Sequence, residues 1–330
     1  MAKIALTGIK PTGTPHLGNY LGMIKPALEL ARSFQGFYFI ADYHALTTTQ
    51  DRNKLKRRIY EVAATWLALG LDPDRVVFYR QSDIAEVFEL AWILACHTPK
   101  GLLNRANAYK AAVADNISAG KSADDNINAG LYNYPVLMAA DILLFGTDFV
   151  PVGLDQKQHL EIARDIAVSM NLRFGNVLKL PEALIREEVM TIPGLDGRKM
   201  SKSYRNTIPI FADPKVIRRQ VMRIVTDSKD PEQPKDPDKC NVFAIWRNFA
   251  PAGAVEDKRQ RYLRGGLAYS DIKKELCELL LAKFDVGRQV YTNYLLDTDS
   301  IDKILKRGAE KARMVAGHLL SMIRHKVGIE

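Results

Sequence analysis

Three groups of residues in this sequence have the types and spacing to do chemistry. The segment Gly197-Arg-Lys-Met-Ser-Lys-Ser203 sets Lys199 and Lys202 on one short loop, between Gly194/Gly197 and a hydroxyl-rich exit. Two ammonium groups on mobile stems suit a polyphosphate. Far upstream, Lys3-Ile-Ala-Leu-Thr-Gly8 reads as a short strand that runs through Ile9-Lys-Pro-Thr-Gly-Thr-Pro15 into a helix beginning at His16-Leu-Gly-Asn19. A glycine-rich strand-to-helix turn offers backbone donors and a helix N-terminus to the same class of ligand. The third group lies on residues 131–145, which read as a helix with Pro135 in its first turn, where a missing N–H is tolerated. This helix is apolar nearly all round, hence buried, yet it carries Asp141. Tyr134, Met138 and Asp141 share one face, spaced i, i+4, i+7. A carboxylate indoors needs a donor. That donor is either a Lys, Arg or backbone N–H elsewhere in the fold, or a ligand for which Asp141 is the recognition group at a pocket floor.

The elements that must position these groups alternate. Strand-like runs at 4–6, 37–40, 76–79 and 149–152 are followed by helical periods at 17–33, 53–69, 84–95 and from about 156. Gly36 and Gly70 mark two returns to strand. Such alternation predicts a parallel sheet with right-handed crossovers, with ligands at the carboxyl ends of its strands. Residues 111–130 read as a polar excursion. Beyond Ser203 the pattern becomes helical and basic around a proline-rich polar loop at 227–239. The expected division is a catalytic unit over 1–207, a helical appendage over 208–297 and one last helix over 298–330 that packs back on the catalytic unit.

The 330 residues suffice for two domains, and 47% hydrophobic with 26% charged residues describe an ordinary globular chain. A net charge of +9 favours an anionic partner such as nucleic acid, as an argument about association only. Cys96, Cys240 and Cys277 have no paired spacing, so neither a zinc site nor a disulfide framework follows and a reducing cytosol is the plain reading. No secretory signal or membrane-spanning run is read, and a cytoplasmic location is expected.

The lysine loop and the upstream turn together resemble the KMSKS-type and HIGH-type motifs of class I aminoacyl-tRNA synthetases. The runs Asn126–Phe145 and Val150-Pro-Val-Gly-Leu-Asp-Gln-Lys-Gln-His159 are similar to the tryptophanyl members of that family, and the resemblance covers nearly the whole chain. It implies a Rossmann-like (HUP-type) α/β catalytic domain with an all-helical C-terminal domain, acting on ATP and L-tryptophan and then on tRNA(Trp). Mg²⁺ is expected with the ATP and no metal site in the protein; a homodimer is expected, and no membrane. The family pattern makes Asp141 the acceptor for the indole N–H. It places Tyr134 and Gln156 on the ammonium group, and His44, Met138, Leu6 and Gly8 around the amino acid. Lys10, Thr12, Gly18, Asn19, Gly153, Asp155, Lys110, Lys199, Met200, Ser201 and Lys202 fall to ATP, with Lys202, Lys199 and His16 as the catalytic group. Asp155 has a second reading, as the N-cap of the following helix with Gln158 completing a capping box. His44 reads as a binding residue rather than a base. The lysine pair has the bland alternative of a solvated basic loop. So do Lys215, Arg218, Arg219 and Arg223, the candidate tRNA contacts.

The sequence departs from the family pattern at several points. Lys10 stands where many relatives carry glutamine, residues 103–110 differ from the usual form, Tyr204-Arg205 follows the lysine loop in place of Asp-Pro, and Leu6 replaces a common aromatic. These are the changes expected of a divergent branch. The rival readings are a tyrosyl enzyme, whose pocket would need partners for a phenol hydroxyl, and a nucleotide-binding paralogue that does not charge tRNA.

Overall fold

The computed structural model describes residues 2–152, 157–184 and 192–330. Its centre is a five-stranded sheet in the order β3-β2-β1-β4-β5, every neighbouring pair parallel. The strands are β1 Ile4–Ile9, β2 Gln35–Ile40, β3 Val77–Arg80, β4 Phe149–Pro151 and β5 Glu182–Leu184. The first four match the expected runs; the three-residue β5 carries too little pattern to be read from sequence. Strand order reverses between β1 and β4, so the ligand crevice of such a sheet opens at their carboxyl ends.

The crossovers supply helices to both faces. Between β1 and β2 the chain forms α1 Leu17–Asn19, a π-turn Tyr20–Ile24 and α2 Lys25–Leu30. After β2 come α3 Asp42–Leu46 and α4 Arg52–Ala68. Between β3 and β4 lie α5 Glu86–Cys96, α6 Lys100–Leu103, α7 Asn107–Ser118 and α8 Ala129–Leu143, and α9 Lys157–Phe174 follows β4. Leu6, Phe37, Phe39, Val77 and Tyr79 face α5, α8 and α9 in one apolar core. Ile9, Tyr38, Ile40 and Phe78 face α4 in another.

Two expectations need correction. Helix α8 begins at Ala129, because the Asn128 carboxamide accepts from the Leu131 N–H and caps it there. Pro135 therefore lies inside the helix rather than in its first turn, leaving the Leu131 carbonyl without its helical donor. The polar excursion contains a true helix, α7, none of whose residues is buried. Its solvated surface explains why it shows no apolar period.

Residues beyond the lysine loop form α10 Pro214–Met222, α11 Asn241–Trp246, α12 Ala252–Arg264, α13 Tyr269–Lys283, α14 Asp285–Leu296 and α15 Thr298–Val327. Ile217, Phe243, Trp246, Tyr262, Leu276 and Leu280 build a separate apolar core, into which Leu17, Tyr20 and Met200 also project. In the 227–239 loop the buried Lys235 ammonium donates to the carbonyls of Asp230, Pro231 and Gln233 at 2.6, 3.0 and 3.0 Å. Helix α15 runs along the edge strand β3. Ile301 and Leu305 enter one sheet core, while Ala309, Ala312, Ala316 and Leu320 enter the other. At Gly308 a Cβ would stand 1.8 Å from the Phe78 carbonyl oxygen, so only glycine lets helix and strand backbones touch. The contact covers a sheet edge that would otherwise be open to pairing. No helix among the described residues is long and apolar enough to cross a membrane.

Candidate active site

The two phosphate-suited loops meet. The chain after the lysine loop pairs with the start of α1: the Leu17 N–H donates to the Ile208 carbonyl at 3.0 Å. Tyr20 stacks edge-on to Phe284 at 5.1 Å, pinning this helix start to the helical region. The π-turn directly behind it is of the kind found at functional sites. Lys202 crosses from the lysine loop to donate to the Gly13 carbonyl at 2.5 Å. The approach is close at Gly13, where a Cβ would meet the lysine stem at 3.1 Å. A Cβ at Gly18 would meet the His16 ring at 3.1 Å and Met200 at 3.4 Å, so both motifs close on one point.

Burial and the charges of neighbouring groups tune this end. Desolvation, with Arg58 nearby, brings the Lys202 ammonium down to about 8. His16 is buried, and desolvation with the Lys202 charge holds it near 4, so its ring is neutral at physiological pH. Among the described residues its Nδ1 has no hydrogen-bond partner. Asn19 commits its side-chain oxygen to the His16 N–H at 3.1 Å, which fixes the helix start. Lys10 donates to the Thr47 hydroxyl at 2.9 Å, which in turn donates to the His44 carbonyl at 2.8 Å. Burial lowers the Lys10 ammonium as well. Lys10 thus bridges the phosphate-suited end and the turn after β2. Thr12 is exposed beside it, its N–H donating to the Lys10 carbonyl.

A residue that motif reading passed over holds the lysine loop. Asn206 is 2% exposed; its Oδ1 accepts from the Ser201 N–H at 2.8 Å, and its amide donates to Asp196 at 2.6 Å and the Lys199 carbonyl at 3.2 Å. Gly194 lies under it, where a Cβ would be 2.2 Å from the Asn206 amide. Only its burial separates Asn206 from any other loop asparagine. Lys199 itself is exposed.

At the other end, Asp141 is 2% exposed on α8 and has protein donors. Gln81, first residue of the turn after β3, places its Nε2 at 2.9 and 2.8 Å from the two carboxylate oxygens. His44 Nε2 lies 2.9 Å from Oδ2. A carboxylate has about four lone-pair directions, so among the described residues these three contacts leave one on Oδ1. The donors within the fold are thus a carboxamide and an imidazole rather than the Lys, Arg or backbone N–H that the sequence suggests. Desolvation raises its carboxyl, and the bonds from His44 and Gln81 oppose that rise.

The surroundings mark an opening. Gly8 is exposed on an otherwise buried central strand, directly over the Phe39 ring, where a Cβ would collide at 2.4 Å. His44, Tyr134 and Met138 are half-buried, and the His44 and Tyr134 rings lie 6.3 Å apart. The Tyr134 hydroxyl is bonded to His159 of α9, a pairing that the i, i+4, i+7 face did not reveal. Leu6 is 2% exposed within the core on the same side of β1. Lys110 stands exposed on α7. Gly153, Asp155 and Gln156 lie outside the described residues. Gln158 uses its amide on the turn before α7, accepting from the Asn107 N–H at 3.0 Å and donating to the Arg105 carbonyl at 3.1 Å. A cleft of about 680 Å³, lined by Ile4, Phe34, Gln35, Val77 and Lys311, opens at the amino ends of the strands. It is on the wrong edge of the sheet for this chemistry.

Residues 2–285 match the family model for class I tRNA synthetases (W and Y). The tryptophan–tRNA ligase of Pseudomonas aeruginosa is 51% identical over 329 residues, covering 98% of this chain and 73% of its own. The chain belongs to the tryptophanyl branch of the class I tRNA synthetases. The solved tryptophanyl-tRNA synthetase of Campylobacter jejuni, complexed with ADP and tryptophan, is 47% identical with a TM-score of 0.89, covering 98% and 99% of the two chains. The enzyme from Mycoplasma pneumoniae is 30% identical with a TM-score of 0.85. As a member of this branch the protein is a synthetase of the tryptophan–tRNA ligase type, with use of ATP implied by the family.

Proposed function

We propose that this synthetase forms tryptophanyl-adenylate in the crevice between the joined loops and Asp141, and then passes the acyl group to the terminal hydroxyl of tRNA(Trp), the acyl–phosphate bond breaking to release AMP. The observation that carries the reading is the meeting of Lys202 with the Gly13 turn at one end and the spare acceptor of Asp141 at the other. In the first step the tryptophan carboxylate attacks the α-phosphorus of ATP, the bond to the β-phosphate oxygen breaks, and pyrophosphate leaves. The nucleophile is already anionic, so no general base is needed. The protein supplies position and positive charge.

In this reading Asp141 accepts the indole N–H, with Gly8, Leu6, Met138 and His44 around the amino acid and Tyr134 and Gln156 on the ammonium group. A site built to bond one polar group rejects analogues lacking it by about 10⁴–10⁵. Lys202 leaves the Gly13 carbonyl for the pyrophosphate, and Lys199 and Lys110 add charge at the rim. Neutral His16, the α1 N-terminus and Lys10 face the phosphates. Met200, Ser201, Thr12, Gly18, Asn19, Gly153 and Asp155 shape the nucleotide side. Among the described residues no cluster of His, Cys, Asp or Glu could hold a metal. Mg²⁺ would accompany the ATP phosphates. Lys215, Arg218, Arg219 and Arg223 are all exposed at α10 and offer tRNA a phosphate-binding stripe. A cytoplasmic homodimer completes the proposal.

The test is charging of purified tRNA(Trp) by the full chain, with tryptophan and with tyrosine supplied in turn. Tryptophan alone is expected to be transferred. Adenylate formation without transfer would support the non-charging paralogue instead.

A further inference from the structure

Gln81 is 0% exposed, and its amide touches both oxygens of Asp141. Its own carbonyl oxygen faces the His44 N–H at 3.4 Å. The turn that carries it is tied at every other member. Arg80 donates to Asp83 and to Asp302 of α15, each at 2.9 Å. Ser82 donates its N–H and hydroxyl to Asp42 at 3.0 and 2.5 Å. The Asp83 carbonyl accepts two bonds from Arg313 of α15, at 2.8 and 2.5 Å. A buried amide so fixed has little rotational freedom, and the carboxylate it bridges takes its orientation from it.

The chemical type matters as much as the fixation. An arginine or lysine in this place would orient Asp141 but also neutralise it, weakening it as an acceptor. An amide donates at every pH and adds no charge. We propose that Gln81 is a positioning residue for amino-acid selectivity: its side-chain amide orients the Asp141 carboxylate and leaves it anionic, with one lone pair aimed at the ligand N–H. This rests on the reading of Asp141 as the indole acceptor. Among the described residues the titratable groups that act on Asp141 are His44 from α3 and Tyr79 from β3, whose hydroxyl lies well above its ordinary range by burial and by the Asp141 charge; Tyr134 of α8 packs against His44. None of these substitutes for the amide, because His44 reaches only Oδ2.

Calorimetric titration of tryptophan into the full-length enzyme without ATP, repeated at several pH values, tests the proposal on Gln81→Met, Gln81→Glu and Asp141→Asn. Gln81→Met is expected to weaken tryptophan about 10- to 100-fold, the loss of a hydrogen bond to a charged group. Its affinity should also fall off at a higher pH on acidification than in the wild type, because Asp141 has lost a donor that favoured its charged form. Gln81→Glu should do the reverse and lose tryptophan as pH rises, since two facing carboxylates cannot both ionise cheaply. A packing role alone gives neither opposite slope. Wild-type pH dependence in either variant that still binds ATP would overturn the proposal. If Asp141→Asn also binds tryptophan normally, the indole-acceptor reading itself fails; if Asp141→Asn is impaired and the Gln81 variants are not, only the role of Gln81 fails.

Discussion

Lys202 is a cation with a depressed pKa held against a backbone carbonyl, and under the proposed function its charge state sets how well the free enzyme meets ATP. With the ammonium at about 8, the protonated fraction is nearly complete below that value and declines above it. The kcat/KM for ATP is therefore expected to fall as pH rises through about 8. In Lys202→Arg this decline should vanish, because a guanidinium stays charged. Lys202→Ala should lose about 10²–10³-fold in turnover, the usual scale for one electrostatic contact to a developing charge. His16 acts with the opposite practical sign on stability. Its ring titrates near 4 when folded against 6.5 unfolded, so protons favour the unfolded chain as pH falls from 6.5 toward 4. His16→Asn should flatten the loss of melting temperature over that window.

Between the catalytic side chains and the fold stand a few short elements whose geometry is set by single residues. Asn206 closes the lysine loop with one accepted and two donated bonds. Asn206→Ala is expected to lower kcat/KM for ATP by about tenfold, since losing such buried bonds costs about 1–3 kcal/mol. The KM for tryptophan should change little. Steady-state kinetics on both substrates separates the two. The motif residues were legible in the sequence because their types are unusual for their context: paired lysines between glycines, a carboxylate on an apolar helix. The residues that position them were not. Asn206, Gln81 and His159 are ordinary polar residues in loops or on a helix, and only tertiary contact shows what they hold. Pro135 was misplaced for a related reason, since the Asn128 cap that starts α8 early carries no apolar signal.

At the scale of the whole molecule, α15 packs against the central sheet. It covers the β3 edge, it touches the Phe78 backbone at Gly308, and its Asp302 and Arg313 hold the turn that presents Gln81. Gly308→Ala is expected to destabilise the protein by about 1–3 kcal/mol through overpacking, read as a lower melting temperature. The parallel sheet and the long last helix were both legible, because buried strands and a thirty-residue amphipathic helix impose strong periods. The tie between that helix and the turn carrying Gln81 was not, since it depends on the Arg80–Asp302 ion pair and on Arg313 bonding the Asp83 carbonyl, partners more than two hundred residues apart in sequence. The central claim is that an anionic acceptor on α8 chooses the amino acid while the lysine loop drives adenylation. Tryptophan-dependent exchange of pyrophosphate into ATP, run on wild type, Asp141→Ala and Lys202→Ala with tyrosine as the competitor, tests it most directly. Asp141→Ala is expected to lose its preference for tryptophan, and Lys202→Ala to keep that preference but lose turnover. Wild-type rates and selectivity in both variants would contradict it.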